Sequence, residues 1–270
     1  MKYVLKIIEI IIVLAAFSSV LAFVSERLDE IKNRGAKFLH KSHGIYERFI
    51  KRPLDCFFST GALIIISPIL ILLITVGVIK MKGNPFFTQD RPGRIDPKTG
   101  RERIFRLIKF RSMTNEKDAD GNLLPDEQRL KSYGKRLRAS SLDELPELLN
   151  IIKGDMSIVG PRPWAVSYLD YFTPEEHQRH SVRPGLTGLA QVNGRTAANW
   201  TERLNYDMSY VDNIRFADDA KIVFLTVKKV FVKSDIVEAG CQGNFDDYRR
   251  TQWADGSVPI PEKFVQKTGV

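Results

Sequence analysis

Residues 54–79 read LDCFFSTGALIIISPILILLITVGVI, a long apolar stretch that is interrupted in its middle by Ser67 and Pro68. A proline inside a helix removes one backbone hydrogen bond and clashes with the preceding turn. The two arms, residues 54–66 and 69–79, then reach about 20 Å or less, against roughly 30 Å for the hydrocarbon core of a bilayer. The stretch predicts a helix–break–helix hairpin that enters and leaves the membrane on one side. A kinked helix that spans the bilayer is the alternative.

Both flanks of this stretch are basic. Residues 25–52 contain eight Lys and Arg, and residues 80–111 contain ten. A spanning helix normally carries its positive excess on the cytoplasmic side alone, so the symmetry favours a hairpin with both ends in the cytoplasm. Ser67 or neighbouring protein must then satisfy the backbone groups that the proline frees, because lipid offers no hydrogen bonds.

A second apolar segment, residues 7–24, reads IIEIIIVLAAFSSVLAFV and contains Glu9 as its one charged residue. Its length is at the lower limit for a spanning helix. A signal peptide is the alternative, but the cleavage site is poor and another apolar segment follows. We expect an uncleaved N-terminal transmembrane anchor, which the positive-inside rule orients with its C-terminal side in the cytoplasm.

The charge of the 270-residue chain is uneven. Residues 1–111 hold 20 Lys and Arg against 9 Asp and Glu, whereas residues 112–270 carry a net charge of −2. A nucleic-acid-binding protein would carry its basic excess on the folded domain. Here the excess flanks apolar segments, which indicates anionic membrane lipids as partners and disfavours nucleic acid. Cys56 and Cys241 cannot form a disulfide framework, which indicates a reducing compartment.

The rest of the chain alternates short apolar patterns with loops. Residues 86–89 and 104–110 predict two strands around a Pro/Gly-rich turn region, residues 91–100. Apolar residues at spacings of three and four over residues 142–152 predict an amphipathic helix. Residues 221–233 predict another helix, either at a membrane surface or buried in the protein. The expected fold class is α+β and mostly helical.

The stretch RASSLDELPELL (residues 138–149) is the most informative for chemistry. Ser141 and Glu144 match a capping box, which would place Asp143 and Glu144 in the first turn of a helix, where the macrodipole favours carboxylates. Two adjacent carboxylates with Arg138 one turn upstream can bind a divalent cation and a phosphate together. One carboxylate can also act as a nucleophile towards phosphorus. Ordinary acidic residues at a helix start are the alternative.

Two Gly/Pro-rich stretches follow. GDMSIVGPRP (residues 154–163) ends in a stiff turn that presents Arg162, and RPGLTGLAQVNGR (residues 183–195) combines three glycines with two arginines. Glycine lets backbone N–H groups approach a phosphate and arginine binds it through two hydrogen bonds, although such loops are usually plain turns. His177 and His180 have no evident third metal ligand, so we expect them to be solvated.

Several motifs of this chain, taken together and in the order in which they occur, resemble those of a known family. KRPLDCFFS, the apolar stretch with Ser67-Pro68, FTQDRPGR, FRLIKFRSM, LRASSLDELPELLNIIKGDMSIVGPRP and RPGLTGLAQVNGR together closely resemble the bacterial sugar transferase family, the monotopic phosphoglycosyl transferases. The resemblance covers roughly residues 46–235. It implies a catalytic domain on the cytoplasmic face of the bacterial inner membrane, carried by a re-entrant hairpin. The expected units are an anchor with a basic linker (1–45), the hairpin (46–82), the catalytic domain (83–239) and a tail (240–270).

The resemblance also implies a reaction, in which sugar-1-phosphate passes from a UDP-sugar to undecaprenyl phosphate with release of UMP and with Mg²⁺ as cofactor. Asp143 would be the covalent nucleophile, and Glu144 would help Asp143 to hold the Mg²⁺. The other implied site residues are Lys109, Arg138, Arg162 and Arg195, for phosphate and nucleotide, and Asp219, as a base towards the lipid phosphate.

Two other functions stay open at this point. A non-catalytic membrane adaptor for polysaccharide assembly would use the same anchors, and a Mg²⁺-dependent nucleotide-sugar diphosphatase would release UMP without a lipid acceptor. The transferred sugar, the downstream pathway and the oligomeric state, a homo-oligomer included, are also open.

Overall fold

The computed structural model describes residues 44–193, 199–232 and 243–261, together with single positions in the two terminal segments. Six of these single positions, between Ile10 and Val24, are helical and exposed. The other residues of the predicted N-terminal anchor lie outside the described residues.

Helices predominate, with two short sheets among them, which agrees with the expected α+β class. The first continuous described stretch starts with a π-helical turn (Tyr46–Ile50) and continues with α1 (Lys51–Met81), β1 (Phe86–Ile95), β2 (Glu102–Phe110), α2 (Asp126–Arg129), α3 (Ser132–Ala139), a 3-10 turn (Leu142–Glu144) and α4 (Glu147–Lys153). Next come β3 (Ser157–Val159), 3-10 turns (Val166–Tyr171 and Glu176–His180), β4 (Gly185–Thr187), α5 (Leu189–Asn193), α6 (Trp200–Asp212), α7 (Phe216–Val232) and α8 (Phe245–Ala254).

Strands β1 and β2 form the predicted antiparallel pair, but β1 is longer than expected. It continues through Pro92 and Gly93, which the sequence pattern assigned to the turn region. In a two-stranded sheet, a proline whose nitrogen faces away from the partner strand breaks no ladder bond. A Cβ on Gly93 would lie 2.9 Å from the carbonyl oxygen of Arg103, so glycine allows the two backbones to approach here. The turn itself is closed by the bond from the Asp96 N–H to the Arg101 carbonyl, at 2.8 Å.

Helix α1 is continuous through Ser67 and Pro68, so the predicted break into two helical arms is wrong at the level of secondary structure. Pro68 has no N–H to donate to the carbonyl of Ile64, one turn earlier. The hydroxyl of Ser67 donates to that carbonyl instead, at 2.8 Å. The side chain thus satisfies the group that the proline frees, as the sequence requires, and the helix continues.

One face of α1 packs on the rest of the protein in the first part of the helix and again at its far end. Its buried residues recur at helical spacing, namely Arg52, Asp55, Cys56, Ser59, Leu63, Gly77 and Met81. Near the far end, a Cβ on Gly77 would lie 2.8 Å from Pro85 and 3.5 Å from the Tyr133 hydroxyl of α3. The opposite face is apolar and exposed: Phe57, Ile65, Leu72 and Ile79 keep 61–78% of their surface accessible.

The helical segment Tyr46–Met81 is, among the described residues, the one helix long and apolar enough to cross a membrane. Only 11% of its most apolar 18-residue stretch is buried inside the protein. Such exposure of apolar surface is typical of an interaction with lipid or protein.

The protein core consists of three clusters. The first joins α1, β2 and α4 (Leu63, Leu107, Ile151), the second joins β3, α6 and α7 (Val159, Tyr210, Ile222), and the third is aromatic and includes α8 (Trp164, Phe172, Phe245). Helix α7, which the pattern of residues 221–233 predicts, buries Ile222 and exposes Phe224 and Val227. Its side chains therefore combine a buried contact with an exposed apolar surface.

The two Gly/Pro-rich stretches pack against each other. Strands β3 and β4 pair in parallel, and a Cβ on Gly185 would lie 2.1 Å from the nitrogen of Gly160. A Cβ on Gly188 would lie 2.2 Å from the carbonyl oxygen of Gly160. Gly185 and Gly188 therefore allow backbone–backbone contact, and phosphate binding by this stretch stays a prediction.

Candidate active site

Asp143 and Glu144 lie in a 3-10 turn that precedes α4. The predicted capping box is wrong, because Ser141 has a left-handed backbone with φ of 55° and its side chain makes no capping bond. Pro146 explains the difference: its ring pre-sets the φ of a helix start and it needs no hydrogen-bond acceptor, so α4 begins directly after it. The carboxylates stand one turn before the helix and are available to other partners.

Glu144 is held between two cations. Its Oε1 accepts hydrogen bonds from Lys109 Nζ at 2.8 Å and from Arg162 Nη2 at 2.5 Å. Burial by itself would raise the pKa of Glu144, but the charges of Arg162 and Lys109 outweigh burial and hold that pKa well below its ordinary value. Glu144 is therefore ionised at neutral pH and orients both cations.

Asp143 has a different environment from its neighbour. Burial raises the pKa of its carboxyl above the ordinary value, and the charge of Glu144 raises it further, while Lys109 and Arg138 oppose the shift. No side chain of the described residues donates a hydrogen bond to the Asp143 carboxylate. Its carboxylate accepts from the backbone N–H of Asp143 itself but is not tied to another side chain of that part of the chain, which suits a nucleophile.

The cations around the pair come from three elements. Lys109 is on β2, Arg138 is on α3, where its Nε donates to Ser112 Oγ at 2.9 Å, and Arg162 follows β3. The close packing of Gly160 on Gly185 fixes the loop that carries Arg162. The structure thus brings together five of the predicted site residues: Lys109, Arg138, Asp143, Glu144 and Arg162.

Glu147 is a third carboxylate of this group, and sequence reasoning missed it. It is buried at the start of α4, with its Oε1 3.1 Å from Lys109 Nζ. Burial raises the pKa of Glu147, and the charge of Glu144 adds to that effect against the opposing charge of Lys109. Its position three residues after Glu144, about one helical turn, is the signal that could have identified it.

A cavity of about 290 Å³ opens beside this cluster. Lys109 and Arg162, which both bind Glu144, line this cavity. Its other charged and aromatic lining residues are Arg91, Glu147, Trp164, Tyr168, Trp200 and Arg203. Sequence reasoning identified neither Arg91 nor Trp200, because no local pattern shows that they meet.

Two residues predicted for substrate binding remain, Asp219 and Arg195. Asp219, on α7, accepts hydrogen bonds from the hydroxyls of Tyr46 and Tyr210 and from Lys51 Nζ, at 2.5–2.9 Å. These partners are all different from those of Asp143 and Glu144. Arg195 lies outside the described residues.

His177 and His180 form a cluster with Glu102, whose Oε1 is 2.7 Å from His177 Nδ1 and 3.2 Å from His180 Nδ1. His180 is buried, which corrects the expectation that both histidines are solvated, and Glu102 is the third group that the sequence did not reveal. Burial lowers the pKa of His180 to about 4, so its ring is neutral at pH 7. Arg179 Nη1 lies 3.3 Å from His180 Nε2, and this nearby positive charge opposes a metal cation.

Comparison with known proteins identifies the family of this chain. The family model for bacterial sugar transferases matches residues 46–233, more than two thirds of the chain. An uncharacterized sugar transferase of Bacillus subtilis, EpsL, is 49% identical over 168 residues, which cover 62% of this chain and 80% of that protein. A UDP-glucose:undecaprenyl-phosphate glucose-1-phosphate transferase of Klebsiella pneumoniae is 40% identical over 192 residues, covering 67% of this chain and 40% of that protein.

A third relative, from Aeromonas hydrophila, is a UDP-N-acetylgalactosamine-undecaprenyl-phosphate N-acetylgalactosaminephosphotransferase with 33% identity over 190 residues. The match covers 67% of this chain and 44% of that protein, so the chain spans less than half of the latter two relatives. The chain belongs to the bacterial sugar transferase family, and it is a transferase enzyme.

Proposed function

We propose that this protein transfers sugar-1-phosphate from a UDP-sugar to undecaprenyl phosphate and releases UMP. The observation that carries the proposal is the Asp143–Glu144 pair held among Lys109, Arg138 and Arg162 beside an open cavity. Three cations around two carboxylates suit a diphosphate substrate, whose negative charge they offset. The names of the Klebsiella and Aeromonas relatives support both substrates.

Asp143 is the proposed nucleophile. Its carboxylate oxygen attacks the phosphorus that carries the sugar, the bond from that phosphorus to the bridging oxygen breaks, and UMP leaves with the electron pair. A phosphate oxygen of undecaprenyl phosphate then attacks the same phosphorus and releases the Asp143 carboxylate. Such covalent catalysis divides one encounter of two phosphorylated substrates into two steps.

Glu144 and its cations have the proposed role of electrostatic stabilisation. The ionised Glu144 orients Lys109 and Arg162, so that both stand ready for charge that develops on the phosphoryl oxygens. Preorganised donors of this kind need no rearrangement during the reaction. Arg138, whose charge acts on Asp143, helps to keep the nucleophile ionised.

Asp143 and Glu144 are also the proposed ligands of Mg²⁺. Carboxylate oxygens are the donors that Mg²⁺ prefers, and the raised pKa of Asp143 reflects, after burial, a repulsion from Glu144 that a cation would relieve. The bound ion would offset charge on the diphosphate as UMP leaves. We expect chelation to abolish UMP release and added Mg²⁺ to restore it.

The proposed membrane topology keeps both ends of Tyr46–Met81 on the cytoplasmic face. The first half of α1 packs on α4 and β3 through Arg52, Asp55 and Leu63, and its far end contacts Tyr133 at Gly77. A spanning helix would place its two ends on opposite sides of the membrane, where one domain cannot contact both. Single cysteines at Ile45 and Lys82 should both react with an impermeant thiol reagent in inverted vesicles and neither in intact cells. Reaction of one cysteine only in inverted vesicles and of the other only in intact cells would support a spanning helix.

The decisive experiment measures UMP release from a panel of UDP-sugars, with and without undecaprenyl phosphate. Asp143→Asn should abolish UMP release. It should also abolish the increase in protein mass that a covalent phosphosugar gives. Asp126→Asn, which changes an exposed acid on α2, is the matched control and should leave both unchanged. Near-normal release by Asp143→Asn would contradict the nucleophile assignment. Repeated release without lipid, beyond one UMP per enzyme molecule, would favour a diphosphatase. No release from any sugar would favour an adaptor.

A further inference from the structure

The cavity beside Glu144 has an excess of positive charge. Four of its charged lining residues are basic, namely Arg91, Lys109, Arg162 and Arg203, and one, Glu147, is acidic. Its volume of about 290 Å³ is close to the lower end of the roughly 300–1,000 Å³ that small-molecule sites occupy. Its charge therefore suits an anion of modest size.

Arg91 is the residue whose interactions are least complete. One terminal nitrogen donates to Gln89 Oε1 at 2.7 Å, but its Nε is buried with no acceptor among the residues that the structure describes. Burial lowers the pKa of Arg91, and the nearby charge of Arg162 lowers it further. Two arginines that repel each other at the edge of a cavity are stabilised when an anion binds between them.

Three aromatic side chains also line the cavity, namely Trp164, Tyr168 and Trp200. Trp164 and Trp200 pack edge to face with ring centroids 4.8 Å apart, and the guanidinium of Arg203 lies 5.5 Å from the centre of the Trp200 ring. The indole N–H of Trp200 is buried and finds no acceptor within the described part of the chain. An unpaired donor of this kind favours a ligand that carries an acceptor, such as a nucleobase carbonyl.

We propose that this cavity binds the uridine 5′-phosphate half of the donor, with Arg91 on the phosphate and Trp200 on the base. The assignment rests on the proposed function and specifies which half of the substrate each region holds. Lys109 and Arg162 stand between the cavity and the carboxylate pair, since both bind Glu144 and line the cavity. In an in-line displacement the leaving group departs opposite the nucleophile, so UMP leaves away from Asp143 and into the cavity. A neutral sugar there would leave the repulsion between Arg91 and Arg162 unbalanced.

The test measures UMP binding to the detergent-purified full chain by titration calorimetry. Arg91→Gln should weaken binding by about 10- to 100-fold, the effect of losing a charge-assisted hydrogen bond to phosphate. Arg106→Gln is the matched control, because Arg106 lies on the neighbouring strand with 81% of its side chain exposed. Trp200→Phe retains an aromatic ring, removes the N–H and should weaken binding several-fold. Wild-type affinity in Arg91→Gln, or no UMP binding by the wild type, would overturn the assignment.

A second readout separates this proposal from the reaction itself. Once the phosphosugar is on the enzyme and UMP is removed, the step with undecaprenyl phosphate should proceed in Arg91→Gln at the wild-type rate. A slowed second step with normal UMP binding would assign the cavity to the sugar half instead. If the wild type binds UMP through Arg91 yet never transfers phosphosugar to lipid, the proposed function fails while the cavity assignment stands.

Discussion

Glu144 and Asp219 are both acidic residues in ion pairs, but their surroundings are opposite. Asp219 is buried and saturated by one cation and two hydroxyls, Lys51, Tyr46 and Tyr210, which tie the start of α1 and the π-helical turn before it to α6 and α7. The two cations of Glu144 also line a cavity. A saturated ion pair stabilises the fold, whereas an ion pair whose cations still face a cavity can act on a ligand. Substitutions at Glu144 should therefore act mainly on activity, and substitutions at Asp219 mainly on stability.

The largest effect is expected from Glu144→Gln, which should lower the rate of UMP release by about 10²–10³-fold, because Lys109 and Arg162 lose the charge that orients them. The thermal unfolding midpoint in detergent should fall less than in Asp219→Asn, because Glu147 still pairs with Lys109. Glu127→Gln, at an exposed position on α2, is the control for removing one acid. An unchanged rate in Glu144→Gln would show that the ion pairs of Glu144 are not needed for catalysis.

Asp219→Asn should act on stability instead. Breaking a buried ion pair costs about 3 kcal/mol, at the lower end of the usual range because Lys51 keeps 12% of its side chain exposed. Chemical unfolding measures the loss, and UMP release below the unfolding midpoint should stay within a few-fold of the wild type. Asp218→Asn is the adjacent control, since no described residue forms a side-chain hydrogen bond or ion pair with Asp218. A large loss of rate at unchanged stability would instead support Asp219 as the base that the resemblance implies.

Tyr210→Phe should have a smaller effect of the same kind. The hydroxyl donates to Asp219 and lies 3.0 Å from the carbonyl of Val159, while the ring stays packed in the second core cluster. Losing it should cost about 1–2 kcal/mol. In a double-mutant cycle with Asp219→Ala the two losses should not add, because both variants remove the bond between the Tyr210 hydroxyl and Asp219 Oδ1. Additive losses would show that the hydroxyl stabilises the fold through Val159 alone.

The smallest expected effect is on pH dependence. Asp143 must be ionised to attack phosphorus, and burial followed by the charge of Glu144 raises its pKa. The rate constant kcat/KM should therefore fall with decreasing pH at a higher pH than an ordinary aspartate would give, near 3.9. In Glu144→Gln the residual activity should persist to lower pH, because one cause of the raised pKa is removed. An acid limb that does not move would assign the raised pKa to burial alone.

Much of the candidate site could be predicted from the sequence. The motifs around Lys109, Arg138, Asp143, Glu144 and Arg162 each contribute one residue type that phosphate chemistry needs, and the structure brings all five together. The antiparallel pair β1–β2 and the helix α7 also follow from local patterns. Local patterns were less reliable where one side chain has a choice between a local partner and distant ones. Glu144 binds Lys109 and Arg162 instead of completing a capping box with Ser141.

Other features depend on contacts between distant parts of the chain. The glycines of the second Gly/Pro-rich stretch read as phosphate-binding in isolation, but Gly185 and Gly188 serve the contact with Gly160. Glu102 lies 75 residues before His177, so no spacing rule could join them. In the same way, Arg91 and Trp200 share a cavity although more than a hundred residues separate them.

The sequence by itself determined the apolar character of α1, the proline within it and the pairing of two carboxylates next to basic motifs, because these are properties of neighbouring residues. Only the tertiary structure decided that Ser67 keeps α1 continuous, that one face of this helix packs on the domain, and which carboxylate is saturated and which is open to a cavity. The physical reason is that burial and charge balance depend on every group that surrounds a side chain. Most of those groups, as with Tyr46 and Lys51 around Asp219, come from remote parts of the chain.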